Sequence, residues 1–180
     1  MRTAYIALGA NLPSWAGPPE ATMSSALRRL AELGDVTKRS SLYSTEPVGF
    51  AEQPRFVNAV VALDTELGPR ELLAALLSIE KQFGRNRAEG IHNGPRTLDL
   101  DILLMDDLEI GEPDLDLPHP RIAERAFVLV PLSEIAPRLK IAGHSQTVAE
   151  LLQALRTNCE GETDAVVRME SDDWRAAANG

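Results

Sequence analysis

Cysteine is almost missing from this chain: Cys159 is the single one in 180 residues. One thiol excludes an intrachain disulfide framework and any multi-cysteine metal site. Aromatic residues make up only 4% of the sequence, so each Phe, Tyr or Trp carries an unusual share of the stacking and packing. Positive charge is outweighed: 18 Lys and Arg against 27 Asp and Glu give a formal net charge of −9, and the pI is about 4.8. Such a chain repels nucleic acid and anionic membrane, so neither is an expected partner. No long hydrophobic run exists at the N-terminus. Met1 to Leu8 gives way at Gly9, too short for a signal peptide or a membrane span. The expectation is a cytoplasmic monomer whose partners are small molecules.

What is present is ordinary for a folded domain: 44% hydrophobic and 25% charged residues. Thr3 to Leu8 reads as a buried strand, turned by Gly9-Ala-Asn11. Met23, Ala26, Leu27, Leu30 and Leu33 recur at helical spacing, with Gly34 as a stop. Val36 to Tyr43 and Phe56 to Thr65 read as the second and third strands. Gly68-Pro69 opens a second helix that Gly84 closes, and Thr97 to Leu104 is the fourth strand. This order is that of the ferredoxin-like βαββαβ core: an α+β fold with an antiparallel sheet, helices on one face and a C-terminal extension. From Leu108 the chain adds a short hairpin-like piece running into Leu117-Pro-His-Pro120, an apolar run Phe127 to Val130, and a short helix over Val148 to Leu155. Residues 1–158 read as a single domain and 159–180 as a variable acidic tail, with Asp164 to Met169 as a possible edge strand and Trp174 as a docking residue. Two connections, 44–55 and 84–96, exceed ordinary turns and read as covers over a ligand.

The segment Gly94-Pro-Arg-Thr-Leu-Asp-Leu-Asp-Ile102 carries the chemistry. Leu98, Leu100 and Ile102 alternate toward a core, so Thr97, Asp99 and Asp101 share the opposite face. On its own, such alternation is more often a solvated strand face than a site. Two carboxylates roughly 6–7 Å apart also suit two hard cations engaged in phosphate chemistry. Arg96 adds a planar fork for phosphate oxygens. An acidic chain that binds a nucleotide must gather its arginines locally, and Arg85, Arg87, Arg96, Arg121 and Arg125 are the candidates.

This nine-residue run resembles the signature of the 6-hydroxymethyl-7,8-dihydropterin pyrophosphokinase family. So do Ala4 to Leu12, Tyr43 to Gly49, Gln53 to Ala59, Glu80 with Gly84-Arg-Asn-Arg87, Pro118 to Arg121, and Arg125-Ala-Phe127. Together they span residues 4–137 in the family's order. The resemblance implies transfer of pyrophosphate from ATP to the hydroxymethyl group of a reduced pterin, releasing AMP. It implies two Mg²⁺ ions on Asp99 and Asp101, with Arg85 and Arg96 beside the reacting phosphates. It places the pterin against Thr45, Pro47, Val48, Phe56, Asn58 and Phe127. ATP falls to Glu80, Arg87, Arg96, Ile102, His119, Arg121 and Arg125.

Three departures stand out. His92-Asn93 occupies a loop position that is tryptophan in some relatives. Asp114 and Asp116 replace Arg and Thr, so no ATP contact is carried over there. Phe56 replaces a tyrosine. The rival reading is a ferredoxin-like RNA-recognition module, which requires a basic, open sheet face. The acidic fourth strand speaks against it.

Overall fold

A computed structural model describes residues 1–47, 52–85, 94–158 and 165–177. The core elements are β1 (Arg2–Ala10), α1 (Pro19–Ala31), β2 (Asp35–Arg39), β3 (Leu42–Thr45), β4 (Phe56–Thr65), α2 (Pro69–Gln82) and β5 (Asp99–Met105). Then follow β6 (Ile110–Glu112), β7 (Leu115–Leu117), a 3₁₀ turn, α3 (Ala126–Ile135), α4 (Val148–Asn158), β8 (Val167–Met169) and α5 (Asp172–Ala176). The main sheet runs β5-β1-β4-β3-β8, with β2 also on β4, and its core pairings are antiparallel. This is the ferredoxin-like order, and it puts the acidic strand at one edge.

Alternation on the strands divides the interior. Ala4, Ile6 and Leu8 of β1, Val57, Ala59, Val61 and Leu63 of β4, and Leu100 and Ile102 of β5 face one cluster with the apolar stripes of α1 and α2. The opposite faces of β1 and β4 contribute Tyr5, Val60 and Ala62 to a second cluster under α3 and α4. The apolar run at Phe127 to Val130 is therefore helical, and the C-terminal extension clads the sheet face that the core helices leave bare. A register shift where β1 meets β5 lets Leu103 and Leu104 both join this second cluster while Ile102 stays in the first.

Two local expectations are corrected. The second strand breaks in two at Ser40-Ser41. The Ser40 amide donates to Val60 O at 2.9 Å and its Oγ accepts from Val60 N at 3.0 Å, so a side chain replaces part of the ladder there. Gly34 is not a left-handed helix stop. The turn after α1 is closed by Glu32 and Leu33 amides, and a Cβ on Gly34 would lie 2.2 Å from Asp64 O, so glycine is required for close backbone approach to β4. Gly84, by contrast, does take the left-handed conformation after α2, at φ +83°.

The segment after residue 164 is docked on the core. β8 pairs with β3 in the register Leu42↔Met169, Tyr43↔Arg168 and Ser44↔Val167. Trp174 is buried in the first cluster and donates from its indole to Ser40 O at 2.8 Å. No helix among the described residues is long and apolar enough to cross a membrane.

Candidate active site

Pairing registers place the candidate residues in rows across one sheet face. Gly9 lies opposite Asn58 on β4 and opposite Asp99 on β5. One step along, Ala7 lies opposite Val60 and Asp101; one step further, Tyr5 lies opposite Ala62 and Leu104. The first row is polar, the last is apolar and covered by α3 and α4. Small side chains on the central strand leave room between Asn58 and the carboxylates. The result is a cavity of about 330 Å³, within the size range of small-molecule sites.

The cavity wall contains Thr45, Pro47, Phe56, Asn58, Arg96, Asp99, Asp101, Arg121, Arg125 and Phe127, all from the sequence reading. It also contains Gly9, Glu46, Glu124, Ala126, Ala165 and Val166. Asn58, mostly buried, donates from Nδ2 to Thr45 Oγ1 at 2.6 Å, which fixes the planar amide. Arg96 lies over the Phe56 ring at 5.2 Å and Arg125 over Phe127 at 5.6 Å.

Charge is concentrated around Asp99. Arg96 Nη1 donates to Asp99 Oδ2 at 2.7 Å, and Arg85 Nη2 stands 3.9 Å from Asp99 Oδ1. Arg85 Nε and Thr97 Oγ1 are buried without a hydrogen-bond partner among the described residues. An unpaired buried guanidinium N–H is unfavourable alone, and an anionic ligand would relieve it. Burial, then Arg121, makes the Arg125 charge harder to hold, whereas Asp101 and Asp99 favour it. His119 lies off the cavity wall. Its Nδ1 accepts from the Arg121 amide at 3.1 Å, so the ring orients the turn that carries Arg121. Burial first, then Arg125 and Arg121, pushes its pKa below the ordinary value and keeps it neutral.

Glu80 and Ile102 fall outside the cavity. The Glu80 carboxylate is buried and accepts from the Leu100 amide at 2.7 Å, bracing the strand between the two aspartates. Ile102 sits at 5% exposure in the first apolar cluster, on the far face of β5 from Asp101. Val48, Arg87 and His92-Asn93 lie outside the described residues, as does most of the 84–96 connection. Asp114 is ion-paired with Arg70 at the surface and does not line the cavity.

Sequence reading missed three supports. Asn11 accepts from the Arg96 amide at 2.8 Å and donates to Gln53 Oε1 at 3.0 Å and Pro54 O at 2.9 Å. It ties the start of the acidic strand to the loop before β4, and its place beside Gly9 in a matched segment was the available signal. Gly9 would meet Asn58 Oδ1 at 2.9 Å if it carried a Cβ. Ala165 and Val166 come from a segment with no motif at all.

The donor set fits magnesium. Among the described residues no group of three or more His, Cys, Asp or Glu side chains is placed to hold a metal. Asp99 and Asp101 stand one strand step apart on one face, surrounded by guanidinium groups. Magnesium takes one or two carboxylates together with waters and phosphate oxygens, whereas a structural zinc or calcium site needs more protein ligands.

Comparison with known proteins agrees with this geometry. The family described as 7,8-dihydro-6-hydroxymethylpterin-pyrophosphokinase (HPPK) matches residues 5–137. The chain is 47% identical over 152 residues to the 2-amino-4-hydroxy-6-hydroxymethyldihydropteridine pyrophosphokinase of Pseudomonas aeruginosa, covering 83% of this chain and 90% of that one. It is 44% identical over 157 residues to the enzyme of the same name from Methylorubrum extorquens, covering 86% and 94%. Among solved structures, wild-type Plasmodium falciparum HPPK-DHPS superposes with a TM-score of 0.74 at 15% identity, over 94% of this chain and 48% of that one. The chain thus spans about half the length of that two-part protein, and the likeness shows the fold.

Proposed function

The chain belongs to the 7,8-dihydro-6-hydroxymethylpterin-pyrophosphokinase family, and from that premise we propose how its pocket works. It is a diphosphokinase of folate biosynthesis, transferring pyrophosphate from ATP to 6-hydroxymethyl-7,8-dihydropterin with release of AMP. The pterin ring lies between Phe56 and Phe127. The Asn58 amide and the Thr45 backbone meet the polar edge of the ring, and Pro47 closes that end.

Asp99 and Asp101 would hold two Mg²⁺ ions. When bound, the ions neutralise charge on the triphosphate and lower the pKa of the attacking hydroxyl. Arg85 and Arg96 leave Asp99 for phosphate oxygens. Arg121 and Arg125 gather the remaining phosphate charge, with His119 on the same nucleotide side; the family resemblance also assigns Arg87 to ATP. Glu80 and Ile102 act on ATP through β5, as a brace and a core anchor. Positioning and electrostatics then supply most of the rate, since the protein forms no covalent bond.

The observation that carries this reading is the convergence of the two aspartates, three arginines (Arg96, Arg121 and Arg125) and the Phe56–Asn58 pair on one cavity, with Arg85 behind the wall 3.9 Å from Asp99. We further propose that the enzyme acts as a monomer in the cytoplasm, with ATP and the pterin as its partners. The test is AMP release by the purified protein with ATP, Mg²⁺ and the reduced hydroxymethylpterin. Release that depends on both pterin and Mg²⁺ is expected. Equal release in EDTA would remove the metal assignment.

A further inference from the structure

We infer that the segment Ala165-Val166, held in place by the β8–α5 strap, is the wall that sets the width of the pterin end of the pocket, and so determines specificity for that substrate. It lies beyond the residues 5–137 that match the family, and it rests on the pocket assignment above.

Both residues line the cavity with Thr45, Phe56 and Phe127. Val166 is half-buried against the same apolar cluster as Phe127. The wall is fixed from two sides. At its start, Arg55 donates from Nη2 to Ala165 O at 3.2 Å and from Nε to Ser44 Oγ at 2.8 Å, and it is ion-paired with Glu46. One guanidinium thus joins the strap to the strand end that carries Thr45. At its far end, β8 extends the sheet from β3, and Trp174 is buried with its indole on Ser40 O. Arg39 closes the anchor, donating to Trp174 O and, at 2.6 Å, to Arg175 O, with its guanidinium 5.9 Å from the indole ring. A small and a β-branched apolar residue at this place leave a slot suited to the edge of a flat heterocycle. Among the described residues no hydrogen bond or ion pair joins the strap to Arg85, Arg96, Arg121 or Arg125, so its effect falls on the pterin rather than on ATP.

The test separates the two substrates. Ala165→Leu, which adds bulk to the slot, should raise the KM for the pterin about tenfold and leave the KM for ATP within about twofold. A truncation ending at Asn158 should raise the pterin KM at least as much. Trp174→Ala should lower Tm and move the pterin KM in the same direction as the truncation. Pterin fluorescence titration in the presence of a non-hydrolysable ATP analogue should show the same loss of affinity for Ala165→Leu. An unchanged pterin KM in Ala165→Leu would overturn the inference, as would equal rises in both KM values, which mean general damage. If the truncated chain does not fold, Ala165→Leu decides alone. Wild-type turnover is the separate control: if the intact enzyme makes no pterin-dependent AMP, the pocket assignment itself has failed, before any variant is compared.

Discussion

The two ends of a single sheet face differ in almost every property. At one end Tyr5, Val60, Ala62, Leu103 and Leu104 lie beneath α3 and α4, buried and closely packed. At the other end, about two residue steps away along the same strands, Asn58, Gly9, Asp99 and Asp101 are left uncovered by those helices and line the cavity. The same three strands supply both. Where they offer apolar side chains, the C-terminal helices settle and stability is gained. Where they offer carboxylates, an amide and a glycine, a helix cannot pack without burying unpaired polar groups, and the face stays open. The site is thus defined by the point at which covering stops. The cover also removes the RNA-recognition alternative, which requires that sheet face to be free.

The comparison breaks most sharply at the carboxylates. Asp99→Ala and Asp101→Ala should each reduce AMP formation by about 10³-fold or more, with Tm nearly unchanged. A variant that kept near-normal turnover would sink the assignment of that residue. The covered end should behave in the opposite way. Leu129→Ala removes a fully buried side chain of α3 and should lose about 2–4 kcal/mol, or several degrees in Tm, with kcat per folded molecule retained at low temperature.

Gly9→Ala tests the border between the ends. Its new methyl would press on the Asn58 amide oxygen and turn the amide that Thr45 fixes, so the pterin KM should rise about tenfold while urea unfolding changes little. The smallest effect is a pH dependence. Burial, aided by a hydrogen bond to Glu134, pushes the Tyr43 phenol up to about 12, so its contribution is whole below pH 10 and fades as pH rises from 10 toward 12. The Tm gap between wild type and Tyr43→Phe should therefore be constant at neutral pH and narrow above pH 10. His119 has the opposite sign. Its depressed pKa means that the unfolded chain takes the proton first, so stability falls as pH drops below about 6.5.

Much of the open end was legible in sequence because its residues keep fixed spacings. Strand alternation alone put Asp99 and Asp101 on one face and Leu100 on the other, and Phe56 with Asn58 on another shared face. The core topology followed from helical and strand periods separated by Gly and Pro. What escaped notice depends on contacts between distant parts. The break at Ser40 arises from a side chain that bonds Val60, twenty residues later. Gly34 looks like a helix stop until Asp64 is beside it. Glu80 looks like a surface helix residue until its carboxylate meets Leu100. The strap's edge strand and docking Trp174 were expected from the sequence, but its place beside the site was not, because only the pairing with β3 brings Ala165 to the pocket.

Arg96 joins three things at once: its guanidinium holds the Asp99 carboxylate and the Gly94 carbonyl, and it lies over Phe56. In the free protein a tethered cation therefore already occupies the place in front of that carboxylate. A bare divalent ion arriving alone must displace it and gains little by doing so. Arriving with a triphosphate, the ion brings oxygens to which the displaced guanidinium can turn. Titration of the empty enzyme with magnesium chloride should accordingly give weak heat, and the nucleotide should act as the admission ticket for the metal.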